Sequence, residues 1–359
     1  MSSTSQNDLA IELRNKFAHT PTKGQERLIT AFSRFLYSEK KACTLIVKGY
    51  AGTGKTTSIG AIVRTLKSIR KSYVMLAPTG RAAKVMSSYS GVSASTIHRR
   101  IYVSSSGSDG ETGFKLGVNR LKNTVFIVDE ASMIGQNSGL LNDLVKYVFS
   151  SEGCRLILVG DNAQLPPVGC SDSPALDEAG LKFSYTLTIA TVELTEVVRQ
   201  ELNSSILINA HGLRLHIDNA QDNKRIATPK IDLAAGPDLV SLPGNELQES
   251  IETLQGKYGE DGIVIVTRSN KRAVQFNQEI RKRILEREDD INVGDRLMVV
   301  KNNYYWLSDY DEITDELIAN GDTLEVVRID SRFKRYGYEF AEVDVVLTDL
   351  KDSPHITLT

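Results

Sequence analysis

The feature that most restricts how this chain can fold is a continuous apolar run, TLIVKG (44–49), that breaks at a glycine-rich loop and resumes as a helical pattern. The loop reads Gly49-Tyr50-Ala51-Gly52-Thr53-Gly54-Lys55-Thr56 and fits G-x-x-x-x-G-K-[ST]. It stands where its physics requires, after a buried strand and before a helix. Glycines let backbone N–H groups approach an anion closely, and the helix N-terminus adds a positive dipole. The stretch predicts a phosphate-binding loop, with Gly49, Ala51, Gly52, Thr53, Gly54, Lys55, Thr56 and Thr57 as nucleotide contacts. Lys55 would reach the β- and γ-phosphates of ATP, and Thr56 would ligate Mg²⁺.

Around this loop, strand-length runs alternate with helical patterns: SYVMLAP (72–78), TVFIVDE (124–130), CRLILVGD (154–161) and TVELTE (191–196). Continuous β-branched runs separated by helices predict a parallel sheet covered on both faces. An opening helix over 23–37 carries Leu28, Ile29, Phe32, Phe35 and Leu36 on one face. Between Arg99 and Lys122 the alternation stops. There IYV and FKLGV flank the polar tip SSSGSDGETG, the pattern of an inserted β-hairpin.

A second α/β segment follows, with helices expected over 203–215 and 245–258, a polar stretch over 218–229, and a strand at GIVIVTRS (262–269). A basic helix is expected over 270–286, where Lys271, Arg272, Arg281, Lys282, Arg283 and Arg287 read as a solvated face. After Asn292 the runs DRLMVV (295–300), DTLEVVRID (322–330) and YEFAEVDVVLTD (338–349) predict strands of a small barrel-like module.

With 359 residues, the chain can hold two or three domains. Its 43 basic and 45 acidic side chains leave a net charge of −2, so any nucleic-acid contact must be a local track. No run approaches the ~18 apolar residues of a membrane span, and the polar start MSSTSQNDLA lacks a signal-peptide core. Cys43, Cys154 and Cys170 show neither paired nor metal-ligand spacing. A cytoplasmic protein with reduced thiols is expected.

Chemistry beyond the loop is predicted at three further places. Asp129 and Glu130 end the run VFIVDE, and a parallel strand delivers its C-terminal residues to the ligand crevice. Asp129 would hold Mg²⁺ through water, and Glu130 would orient and deprotonate the attacking water. Gln164, in GDNAQLPP (160–167), offers an amide that can bridge γ-phosphate and water; a polar turn closed by two prolines is the other reading. In Thr22-x-x-Gln25, Gln25 is read either as the N3 residue of a capping box or as a partner for adenine N6 and N7.

The ordered set GYAGTGKT, APTGRAAKVM (77–86), STIH (95–98), VDEASM (128–133), GDNAQLPPV (160–168) and ELTEVVRQ (193–200) resembles superfamily 1 DNA helicases of the RecD/Dda branch. The resemblance runs from Thr22 to Arg283. It implies a RecA-like P-loop NTPase motor domain over 1–98 and 124–200, with the hairpin at 99–123 as a strand-separating pin. It also implies a partial second RecA-like domain over 201–291 and a β-rich SH3-like module over 292–359. By position it implies a γ-phosphate contact for Arg199 and DNA-backbone contacts for Pro78, Thr79, Arg81, Thr96 and His98. In IVTRSNKRAVQFNQEIRKR it implies the same for Thr267 and Asn270.

The family translocates 5′→3′ on single-stranded DNA, so the resemblance implies single strands and single/double-strand junctions as partners. A monomer in DNA repair or recombination is expected, working alone or beside a nuclease or other replication and repair proteins. No cluster of acids with a lysine marks a nuclease here. The chain departs from the family after its β-rich end, where no His/Gln-Gly segment and no Tyr-Val-x-x-Thr-Arg-like segment follows Arg199. The arginine of the latter is worth ~10³–10⁵ in rate in comparable NTPases. The expectation is a truncated form of a longer helicase that binds nucleotide but turns it over poorly. A nucleotide-gated DNA-binding module without motor output is the competing class.

Overall fold

The computed structural model describes residues 5–106, 112–135, 139–167, 169–170, 172–196, 204–222, 228–234, 236, 238–300, 318, 320–348 and 355–359. The chain divides into two compact units. One comprises Met1–Arg199, Leu297–Leu324 and Val346–Ile356; the other comprises Gln200–Arg296, Glu325–Val345 and Thr357–Thr359. Among the described residues no helix is long and apolar enough to cross a membrane.

The first unit opens with α1 (Gln6–Asn15) and α2 (Lys23–Tyr37), then β1 (Cys43–Gly49), α3 (Lys55–Ser68), β2 (Tyr73–Ala77), α4 (Gly80–Ser90) and β3 (Ala94–Thr96). After α5 (Ile97–Ile101), the strands β4 (Tyr102–Ser106) and β5 (Thr112–Leu116) form an antiparallel pair with Tyr102 opposite Leu116. The chain then returns through β6 (Val125–Val128), α6 (Leu140–Phe149), β7 (Arg155–Gly160), α7 (Glu178–Ser184) and β8 (Thr188–Leu194). Six strands form one sheet in the order β3-β2-β6-β7-β1-β8, and every neighbouring pair is parallel.

The two-residue period of a strand explains why this sheet is buried twice over. Leu45 and Val47 of β1, Val125 and Ile127 of β6, and Ile157 and Val159 of β7 pack with Leu9, Leu13, Leu28, Phe32, Ile59 and Leu66 of α1 to α3. Their alternates Ile46, Phe126, Val128, Leu156 and Leu158 meet Ile97 and Ile101 of α5, Leu144 and Val148 of α6, and Leu181 of α7. A continuous apolar run is what such a two-sided strand needs, so the expected α/β parallel fold is the observed one.

The second unit carries α8 (Ser205–Asp222), α9 (Leu247–Tyr258) and α10 (Asn270–Arg283). Helix α8 continues past Leu215, so the stretch expected to be polar coil from Asp218 is helical as far as Asp222. The strand expected at 262–269 does not form. Its β-branched residues favour extended backbone, but a strand exists only through a neighbour. No described strand pairs with it, and Val264 and Val266 stand 84% and 88% exposed. The C-terminal runs do form strands: β9 (Arg296–Met298), β10 (Thr323–Arg335), β11 (Tyr338–Leu347) and β12 (Ile356–Leu358), in the order β12-β11-β10-β9.

Two members of the basic run, Arg281 and Arg287, are only half-exposed and bind a buried acid. Asp295 is buried, and its carboxylate accepts from Arg281 Nη2 at 2.7 Å, Arg287 Nη1 at 3.0 Å and the Asn292 N–H at 2.8 Å. Burial alone would raise its pKa. The hydrogen bonds and positive charges outweigh that, and the net shift is downward from 3.8. A carboxyl lowered in the folded state stabilises it above the unfolded pKa, and that contribution disappears as pH falls through the folded value. Asp295→Asn should therefore lower the melting temperature at pH 7, and the gap to wild type should narrow as pH falls below about 3.8, measured by thermal melts across pH. An unchanged melting temperature at neutral pH would show that the cluster holds nothing together.

Candidate active site

Strand β1 aims the phosphate loop. It lies between β7 and β8 with Lys48 opposite Gly160 on one side and Glu193 on the other, so its C-terminal end opens beside theirs. The loop turns through Gly52 and Gly54 at φ 81° and 83°, a region side chains rarely adopt. Gly49 is held by close approach instead: a Cβ there would stand 2.7 Å from Thr53 Oγ1 and 3.1 Å from Leu194 Cβ. Thr53 Oγ1 donates to the Tyr50 carbonyl at 2.8 Å and fixes the bend. Helix α3 starts on Gly54 with no side-chain cap, so its first N–H groups face the loop without a side-chain acceptor.

Lys55 Nζ donates to the carbonyls of Gly49 at 2.6 Å and Tyr50 at 3.1 Å and lies 3.6 Å from Asp161 Oδ2. Thr56 and Ala51 are exposed at the loop, and Thr57 is half-buried. Asp161, which adjoins Gly160 in the same segment as Gln164, joins the site beside Lys55. It is buried, and its Oδ1 accepts from the Ala163 N–H at 2.9 Å. A Cβ on Gly160 would come within 2.8 Å of Leu176 Cδ1, so glycine is what brings Asp161 in so closely.

Strand β6 delivers the two acids. Asp129 Oδ1 accepts from the Glu130 N–H at 2.9 Å, and its Oδ2 accepts from the Tyr89 hydroxyl at 2.5 Å. Glu130 sits at φ 51°, a left-handed conformation uncommon for a residue with a side chain. Its Oε2 is buried without a hydrogen-bond partner. Burial raises the Glu130 pKa, the negative charge of Asp129 raises it further, and the Gln164 amide and Lys55 charge pull the other way. A carboxylate made more basic than usual, with an open oxygen, is equipped to take a proton from water. Gln164 is exposed, and its Oε1 accepts from Ser132 Oγ at 3.4 Å.

Gln25 forms the capping box: its N–H donates to Thr22 Oγ1 at 3.3 Å, and its Oε1 accepts from the Thr22 N–H at 3.0 Å. That leaves Nε2, buried and without a partner. Buried donors are usually satisfied, and the capping box itself uses only the oxygen and the backbone N–H of Gln25.

The residues that the resemblance assigned to DNA are placed less uniformly. Thr79 caps α4 by accepting from the Ala82 N–H, and Thr96 caps α5 by accepting from the Arg99 N–H, both at 3.2 Å. Pro78 is half-buried, Arg81 is exposed, and both adjoin Thr79 at the start of α4. His98 packs 5.7 Å from the Tyr102 ring, and burial lowers its pKa. Thr267 Oγ1 donates to the Ser269 carbonyl, and Asn270 opens α10 in the second unit. Arg199 lies outside the described residues. Lys55, Thr56, Asp129, Glu130 and Gln164 thus converge at the C-terminal edge of the sheet. Tyr89 joins them unannounced, since nothing in its sequence neighbourhood marks a tyrosine 40 residues before an aspartate.

A parallel sheet that delivers a phosphate loop and paired acids to one edge defines a P-loop nucleotide-binding domain. The chain matches the AAA domain family over residues 22–228, and it belongs to that family. Within it the chain is RecD/Dda-like. It is 34% identical over 207 residues to the ATP-dependent RecD2 DNA helicase of Deinococcus radiodurans, covering 56% of this chain and 26% of that one. It is 27% identical over 316 residues to the ATP-dependent DNA helicase dda of Enterobacteria phage T4, covering 85% of this chain and 67% of that one. The Pif1 helicase of Candida albicans aligns with a TM-score of 0.40 at 18% identity, over 94% of this chain and 78% of that one. The chain thus spans about a quarter of RecD2 and about two-thirds of dda.

The donors at the site fit Mg²⁺. One exposed hydroxyl (Thr56) and one carboxylate (Asp129) are hard oxygen ligands, and so small a set suits an ion that keeps waters and shares phosphate oxygens. Gly49→Ala is expected to weaken nucleotide binding roughly tenfold or more, because forcing a methyl into the loop costs about 1–3 kcal/mol. Titration with a fluorescent ADP analogue reads this directly, and wild-type affinity in the variant would contradict the loop assignment.

Proposed function

We propose that the chain is the motor portion of an ATP-dependent DNA helicase that moves 5′→3′ along single-stranded DNA. The observation that carries the reading is Glu130: its open, buried oxygen lies beside Asp129, within reach of the charge of Lys55 on the phosphate loop. In this reading the N–H groups of Gly52 to Thr57 and the Lys55 ammonium hold the phosphates of ATP. For this Lys55 must leave the carbonyls of Gly49 and Tyr50. Gln25 Nε2 meets adenine. Thr56 and Asp129 would hold Mg²⁺, which supplies neutralisation of the charge on the β- and γ-oxygens. Glu130 takes the proton of the attacking water, Gln164 orients that water, and Arg199 contacts the γ-phosphate.

On the DNA side, Pro78, Thr79 and Arg81 at the start of α4, with Thr96 and His98, contact the strand from the first unit; Thr267 and Asn270 are DNA contacts of the second unit in their own right. The capping hydroxyls of Thr79 and Thr96 keep the helix starts in place while adjacent backbone groups meet phosphates. Such contacts bind DNA with little sequence preference and strong salt dependence. The β4–β5 hairpin, with Val103 47% and Phe114 55% exposed, serves as the strand-separating pin. Residues 201–291 represent part of a second RecA-like domain, and the C-terminal strands of 292–359 form an SH3-like module. The substrates are single strands and junctions met in cytoplasmic DNA repair or recombination. The relatives called helicases and the Glu130 geometry favour this over a nucleotide-gated binding module without motor output.

Strand displacement on duplexes with 5′ or 3′ tails tests the reading. Any unwinding by the chain should require ATP and a 5′ tail, and should fall steeply between about 50 and 200 mM salt. Unwinding from the 3′ tail alone would overturn the polarity, and unchanged unwinding by Lys55→Ala would overturn the site.

A further inference from the structure

The Tyr89 hydroxyl is not accounted for by nucleotide binding, by DNA contact or by the core. Tyr89 lies in the last turn of α4, and its hydroxyl donates to Asp129 Oδ2 at 2.5 Å. The other oxygen of Asp129 is taken by the Glu130 N–H, so the carboxylate is gripped at both ends. A hydroxyl bonded to a carboxylate is a charge-assisted contact, stronger and more directional than a neutral one.

Helix α4 gives this bond a longer reach. It is an 11-residue rod, about 16 Å long, with Thr79 as its N-cap. Its buried Ala83 and Met86 seat it against the sheet. Pro78, Thr79 and Arg81 stand at the start of this rod, and the last turn carries Tyr89, whose ring reaches Asp129 beside the end of β2. A shift or tilt of the rod at its N-terminal end therefore moves the group that sets the Asp129 carboxylate.

We propose that Tyr89 is a positioning residue that holds Asp129 for the cation and makes it responsive to strand engagement at the start of α4. This rests on the reading of Asp129 as the Mg²⁺-side carboxylate and of 78–81 as a DNA-contacting segment. Partners that orient a metal ligand typically change metal affinity by about 10–100-fold when removed. Asp129 keeps its second hydrogen bond without Tyr89, so the effect belongs at the lower end, roughly tenfold.

The experiment compares wild type, Tyr89→Phe and Tyr89→Leu in titrations of Mg²⁺, and of Mn²⁺ followed by its magnetic resonance signal, into protein holding a fluorescent ADP analogue. Each titration is run with and without a thymidine oligonucleotide. In wild type the oligonucleotide should shift the cation concentration at half-saturation. Tyr89→Phe keeps the ring, and its melting temperature and metal-free nucleotide affinity should match wild type. Its cation requirement should rise roughly tenfold, and the oligonucleotide-induced shift should disappear although the oligonucleotide still binds. Tyr89→Leu should show the same cation defect with a lower melting temperature.

A wild-type cation requirement in Tyr89→Phe would overturn the inference alone, as would a defect confined to Tyr89→Leu, which would trace it to ring packing. A raised requirement with the oligonucleotide shift intact, or no such shift in wild type, would overturn the coupling. Nucleotide binding by wild type that ignores the cation altogether would overturn the site reading as well.

Discussion

The chemistry of this chain depends on how β1 is held. Pairing with β7 and β8 on its two sides fixes the height at which β1 ends, and the loop after Gly49 has no freedom to leave in another direction. The same pairing places Gly160 opposite Lys48, which brings Asp161 within 3.6 Å of Lys55. Because the strands are parallel, loop, acids and amide emerge at one edge. Had β6 run antiparallel to β1, Asp129 would have been delivered to the opposite edge of the sheet from the phosphate loop.

Of the buried polar side-chain atoms without a partner among the described residues, those of Glu130 and Gln25 stand in segments read as nucleotide contacts. Two apolar layers cover the sheet, and helix ends are capped by Thr22, Thr79 and Thr96. Against that background Glu130 adopts a left-handed backbone with an unpartnered buried oxygen, and Gln25 leaves a buried donor unused. Local rules broken in an otherwise consistent fold are expected where a ligand completes the arrangement. Lys55 resting on its own loop carbonyls is the complementary sign: a charge satisfied provisionally, in a position from which phosphate oxygens can draw it.

Much of this was legible in the sequence, for definable reasons. Strands β1, β6 and β7 are buried on both faces, so each is a continuous apolar run that a reader can see without knowing its partners. The loop's glycines and Lys55 follow a spacing fixed by phosphate geometry. What could not be read depends on partners distant along the chain. GIVIVTRS (262–269) has the residues of a strand, but no described neighbour pairs with it. Arg281 and Arg287 looked like a solvated face until buried Asp295 claimed them. Tyr89 meets Asp129 only because α4 packs beside β2 and β2 pairs with β6. For Gln25 the capping box is the reading that the structure displays, with the oxygen on the Thr22 N–H and the nitrogen left without a partner.

The role proposed for Glu130 is to act on water and not on the nucleotide. Single-turnover hydrolysis and nucleotide affinity measured side by side for Glu130→Gln test it most directly. Glu130→Gln should keep wild-type affinity for Mg²⁺-nucleotide while hydrolysis slows by roughly 10²–10⁴-fold, the usual contribution of a general base. Loss of nucleotide binding, or hydrolysis at the wild-type rate, would contradict it.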